Sequence, residues 1–84
     1  MNNLIARKMI LTSSYQPLSA GRLVATVTLT AHPDNTGSAY LLGDTGDSVP
    51  LSPGEWHTFK SVNLAAIQVK GTANDVMTMI GGTW

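Results

Sequence analysis

Glycine and proline interrupt this chain so often that few windows remain for a helix. Pro17, Gly21, Pro33, Gly37, Gly43, Gly46, Pro50, Pro53, Gly54, Gly71, Gly81 and Gly82 punctuate it from end to end. A helix of roughly ten or more residues needs a longer uninterrupted stretch. What lies between the breaks has strand character. In Arg22–Ala31, Leu23, Ala25, Val27, Leu29 and Ala31 share one parity, while Thr26, Thr28 and Thr30 share the other. Strict alternation puts one face on a core and the other toward water or a partner, and β-branched residues suit a pleated surface.

The remaining runs read the same way. His32-Pro33-Asp34-Asn35-Thr36-Gly37 is a turn, with Asx side chains able to bond their own backbone and Gly37 free to take positive φ. Ser38–Leu42 is apolar on both faces, so both need cover. Gly43-Asp44-Thr45-Gly46-Asp47 is a second turn, and Ser48–Leu51 is a short extended piece whose Pro50 suits a sheet edge. Ser52-Pro53-Gly54 predicts a type II turn. Glu55–Lys60 is a strand with its two aromatics at opposite parity, Asn63–Ala66 a single helical turn, and Ala66–Lys70 a further strand. After the Gly71–Asp75 turn, Val76–Ile80 is the last strand and Gly81–Trp84 a tail. The Leu4–Leu11 segment reads as a strand or an extended arm; a short amphipathic helix there lacks a cap signal. The expectation is an all-β fold. It is a small, jelly-roll-like β-sandwich of about six to eight short antiparallel strands. It forms one domain over residues 1–84, with 1–11 as an N-terminal arm or strand.

Charge then narrows the function. Five Lys+Arg balance five Asp+Glu, and charged residues are 12% of the chain, about half the usual share. A neutral chain lacks the basic surplus that neutralises phosphates, which argues against nucleic acid as a partner. No apolar run approaches the roughly 20 residues that span a bilayer, which argues against a membrane. With no Cys, a disulfide framework and thiolate zinc sites are excluded. The leading residues lack the basic-then-apolar pattern of a secretion signal. A domain this small is marginal alone, so its mild Thr/Ser/Asn surface is expected to be covered by identical copies or a larger partner.

Convergent catalytic groups are hard to find. His32 and His57 are the only histidines and carry no partner spacing. Asp44 and Asp47 in their Gly-rich loop would offer Ca²⁺ some oxygens, but lack the alternating acids and terminal Glu of an EF-hand loop. No serine lies in G-x-S-x-G. The chain is therefore not expected to be an enzyme, nor to hold a cofactor or metal. Trp56, Trp84, Tyr15 and Tyr40 are able to stack on sugar rings, although core and interface packing is the favoured explanation for them.

Three segments carry a resemblance: Ala31–Gly37 with the Tyr40–Gly43 run after it, Val49–Glu55, and Val69–Val76. Their order and spacing resemble small β-sandwich virion proteins of tailed bacteriophages and prophages, including capsid decoration and minor structural proteins. The likeness covers about residues 5–80. It implies a structural part without a catalytic motif, one that oligomerises and binds other virion proteins. The expected role is that of a capsid decoration, or cement, protein bound to the major capsid protein. It would sit on the virion, assembled in the bacterial cytoplasm, as a cyclic homo-oligomer, a trimer in the simplest case. The alternative is a carbohydrate- or receptor-binding module of a tail fibre or baseplate, built on Trp56, Tyr40 and turn aspartates. The expected contact residues are Leu4, Ile5 and Met9 in the arm, Tyr40 and Leu42 on the two-sided strand, and Trp84 in the tail. Leu23, Val27, Leu29, Ile67 and Val69 are the expected core. An arm at Asn3–Leu11 would be dispensable for folding and would add a strand to a partner's edge.

Overall fold

The computed structural model describes residues 3–83. Its strands are β1 (Asn3–Ile10), β2 (Gln16–Pro17), β3 (Val24–Ala31), β4 (Ala39–Leu42), β5 (Ser48–Leu51), β6 (Trp56–Asn63), β7 (Gln68–Lys70) and β8 (Val76–Thr83). A 3-10 turn, Leu64–Ala66, precedes β7, with the Asn63 side chain accepting from Ala65 N–H as its cap. The expected contact role of Trp84 lies outside the described residues.

The pairing is nested. β1 pairs with β8, β2 with β7, β3 with β6 and β4 with β5, all antiparallel. Cross-pairs β3–β8 and β4–β7 complete two four-stranded sheets. The first has the order β1-β8-β3-β6 and the second β2-β7-β4-β5. This is the strand order of a jelly roll, a two-sheet solution to closing an antiparallel fold.

The core lies between the sheets. Alternation in β3 works as expected: Ala25, Val27, Leu29 and Ala31 are buried, and the intervening residues face out. Val69 is buried too, while Leu23 and Ile67 pack on the core only in part. Ile5 of β1, Met77 and Met79 of β8, Ala39 of β4, Leu51 of β5, the loop residues Leu11 and Leu18, and Leu64 of the 3-10 turn complete it. Other local expectations hold. Gly54 has φ +87° and Glu55 N–H donates to Ser52 O at 2.9 Å, closing the type II turn. Pro50 lies on β5, an edge strand.

Two expectations need correction. The N-terminal segment is no free arm: all eight residues of β1 pair with β8, and Ile5 is buried in the chain's own core. The Ile5 side chain thus points into the chain's own core and not outward. Apolar residues occupy both parities of this segment, so its inward face was not visible from the pattern. Likewise Gly81 and Gly82 are no tail but the second half of β8. A Cβ on Gly81 would collide with the Thr26 carbonyl oxygen and lie 2.7 Å from Val27 Cα. Glycine here lets β8 press against β3.

Candidate functional site

The outer face of the first sheet is built by parity. Because Ala25, Val27, Leu29, Met77, Met79 and Ile5 point inward, the alternate residues point out. Strand register places Ala6, Ile80, Thr28 and Thr58 in one row and Lys8, Thr78, Thr30 and Trp56 in the next. Leu4 stands opposite Gly82, which stands opposite Thr26. Thr28 and Thr58 share a hydroxyl hydrogen bond of 2.8 Å, and Thr26 Oγ1 accepts from Ser61 N–H at 3.1 Å. Leu4, Ile80 and Trp56 are 80%, 61% and 62% exposed, and Ile10 is half exposed. Lys8 is the charge in these rows, and Lys60, two residues past Thr58 on the same parity of β6, adds a second charge to the face. The result is a threonine-covered sheet rimmed by large apolar side chains. Of the expected contact residues, Leu4 belongs to this face, whereas Met9 is half-buried on the inward parity.

Tyr40 and Leu42 project from the second sheet instead, both half-buried. Tyr40 stands opposite Pro50 and Lys70. The Lys70 ammonium lies 4.8 Å from the Tyr15 ring centroid and 6.0 Å from that of Tyr40, within cation–π range. The Tyr15 hydroxyl meets Ser48 Oγ at 2.6 Å, strapping the ring to β5. Trp56 and Tyr40 thus stand on opposite faces of the sandwich and form no shared sugar platform.

Titratable groups stay scattered. Glu55 accepts from Ser52 N–H at 3.0 Å and meets His57 Nε2 at 2.8 Å, in the open on an edge strand. The His57 bond, then the Ser52 bond, holds the Glu55 carboxyl below its ordinary value, against a smaller opposing effect of burial. His32 Nδ1 accepts from Asp34 N–H at 3.0 Å. Asp47 accepts from the Thr45 hydroxyl at 3.2 Å, in a loop closed by Gly43 N–H on Asp47 O at 2.7 Å. Among the described residues, no three His, Asp or Glu side chains converge as metal ligands, and no concave pocket forms.

The three segments behind the resemblance meet at one end of the sandwich. Asp75 accepts from Thr36 N–H, the Thr36 hydroxyl and Gly37 N–H, all at 3.1 Å. Asn35 copies a strand partner: its amide donates to Val76 O at 2.9 Å and accepts from Val76 N–H at 2.8 Å. Ala31 N–H donates to Glu55 O, and Gly54 N–H donates to Ala31 O. The residues of these segments are engaged in holding loops together. The exposed apolar side chains Leu4, Ile80 and Trp56 lie elsewhere, on the first sheet, whose outer face was signalled in the sequence by the threonine parity of β3. Comparison of the chain with family models, curated proteins and solved structures finds no match.

Proposed function

We propose that this chain is a virion structural protein of a bacteriophage. In this reading it is a capsid decoration protein that binds the major capsid protein through the outer face of its first sheet. The observation that carries the reading is that face: threonines of β3, β6 and β8 beside the exposed apolar side chains of Leu4, Ile10, Ile80 and Trp56, with Lys8 and Lys60 as its charges. Four strands about 4.8 Å apart and eight residues long give it roughly 500 Å² in plan. Its accessible area is larger and approaches the ~800 Å² per partner of a stable interface. Docking it expels water from the exposed apolar side chains, while the flexible stems of Lys8 and Lys60 let their ammonium groups stay in water. Threonine hydroxyls supply hydrogen bonds at little entropic cost, because their χ1 is already stiff. Trp56 is the residue type that most often anchors an interface.

The mechanism is adhesive. Each copy buries apolar area against neighbouring capsid subunits and ties them, raising the temperature at which the shell disrupts. The protein resides on the virion, assembled in the bacterial cytoplasm, and needs no cofactor. Jelly rolls occur in viral capsid proteins and in lectins alike, so fold analogy alone favours neither. The decisive experiment is co-sedimentation of the purified protein with shells of the carrying phage prepared without it. Saturable pelleting is expected; protein left in the supernatant overturns the decoration role.

The exposed Trp56 ring supports a second reading, a carbohydrate- or receptor-binding module of a tail fibre or baseplate. A glycan array decides it. Trp56→Ala-sensitive glycan binding, together with no shell binding, would replace the first reading with the second.

A further inference from the structure

A jelly roll has four edge strands, and three of these are blunted. β2 is two residues long and ends in Pro17, and β5 carries Pro50. β6 is broken by a bulge against β3 between Ala25 and Val27, with Ser61 at φ 52°. Short strands, prolines and bulges all spoil an edge as a template for further pairing. β1 differs. It runs eight residues in unbroken register with β8, has no proline or bulge, and pairs on one side only.

We infer that the free edge of β1 pairs with β1 of a second copy, antiparallel about a two-fold axis through Ala6. Two constraints narrow the register, and the number of β1 residues that find partners selects among those left. Residues directly opposite each other must belong to the same sheet face, so partners share parity. Like charges directly opposite each other are destabilising. Centring on Arg7 sets Arg7 against its symmetry mate, and centring on Lys8 does the same for Lys8. Centring on Ala6 pairs Asn3 with Met9, Leu4 with Lys8 and Ile5 with Arg7, so all of residues 3–9 find partners and no like charges meet. The two Lys8 ammonium groups then lie about 13 Å apart along the strand, beyond the screening length of ~8–10 Å. Leu4 lies along the aliphatic stem of the partner's Lys8. Arg7 is already turned away, its guanidinium 3.4 Å from the Leu18 carbonyl oxygen. With a formal net charge of zero, two copies feel no net repulsion on approach. The contact is self-complementary, so it closes as a pair, where a trimer would need a heterologous contact. Pairing joins two four-stranded sheets into one of eight and makes one continuous threonine face. This holds whether or not that face binds a shell.

The chain has no cysteine, so single introduced cysteines report the register cleanly. Opposed residues of an antiparallel pair have Cα atoms about 4.5 or 5.5 Å apart, within disulfide range. Under mild oxidation, Ala6→Cys is expected to cross-link as a dimer, as is the double variant Leu4→Cys/Lys8→Cys. Leu4→Cys alone and Lys8→Cys alone are expected to form no disulfide-linked dimer. An Ala6→Cys variant that does not cross-link, or single Leu4→Cys and Lys8→Cys variants that cross-link as readily, overturns the inference. Sedimentation equilibrium adds a test without cysteines. The unmodified chain should dimerise and Ala6→Arg, at an exposed position, should weaken the dimer by about fivefold. An unmodified chain that stays monomeric at its highest soluble concentration overturns the inference as well.

Discussion

Asp75 and Gly81 show how single residues fix this fold. The Asp75 carboxylate is nearly inaccessible and gathers the loop between β3 and β4 onto the turn before β8. The Thr36 N–H bond holds it below its ordinary pKa; burial opposes the shift, and Gly37 N–H and the Thr36 hydroxyl reinforce it. A carboxyl depressed in the folded state stabilises fully above its unfolded value, about 4. That stability is lost as pH falls through the lower folded value. The melting temperature should therefore drop as pH falls below about 4. Thermal melts of Asp75→Asn should show a lower midpoint at neutral pH and a shallower acid dependence, the remainder coming from Glu55. An unchanged acid slope would remove Asp75 from that role. Gly81→Ala must push β8 away from Thr26 and Val27 of β3, at a cost of about 1–3 kcal/mol, the range for overpacking; urea unfolding measures it. Sequence placed Asp75 in a turn but not its partners, because Thr36 is 39 residues away. The turn reading left Gly37 free to adopt positive φ. It is absent from the positive-φ glycines, and its missing Cβ instead clears the Thr72 hydroxyl.

At the scale of elements, legibility followed alternation. β3 was plain because its two parities differ in chemistry. Its central residue Leu29 is fully buried, so Leu29→Ala should cost about 2–5 kcal/mol in denaturant unfolding. β1 was ambiguous because Leu4, Ala6 and Ile10 on one parity and Ile5 and Met9 on the other are all apolar. β2 has two residues and no alternation to read. The end of β8 was hidden by glycines that usually signal an end. The structure reverses one earlier expectation, that the chain folds without its N-terminus. Removing residues 1–11 takes away an entire edge strand with Ile5 and Leu11 of the core. The truncated chain should lose its strand signal in far-UV circular dichroism; a cooperative melt near that of the full chain would restore the arm.

For the whole molecule, sequence gave the class but not the wiring. Strand order depends on which edges meet, and residues 39 to 80 positions apart meet here. The outer face of the first sheet was equally hidden, since it forms only when β1, β8, β3 and β6 lie side by side. The central claim, that this surface is the adhesive one, is tested most directly by placing a charge on each outer face in turn. Thr28 lies in the middle of the first sheet, between Ile80 and Thr58; Gln68 lies on the outer parity of the second. In co-sedimentation with undecorated shells, Thr28→Lys should weaken binding by about tenfold or more, the effect of desolvating an unpaired charge. Gln68→Lys should bind as the unmodified chain does. Equal binding by the two variants, or loss confined to Gln68→Lys, would contradict the account.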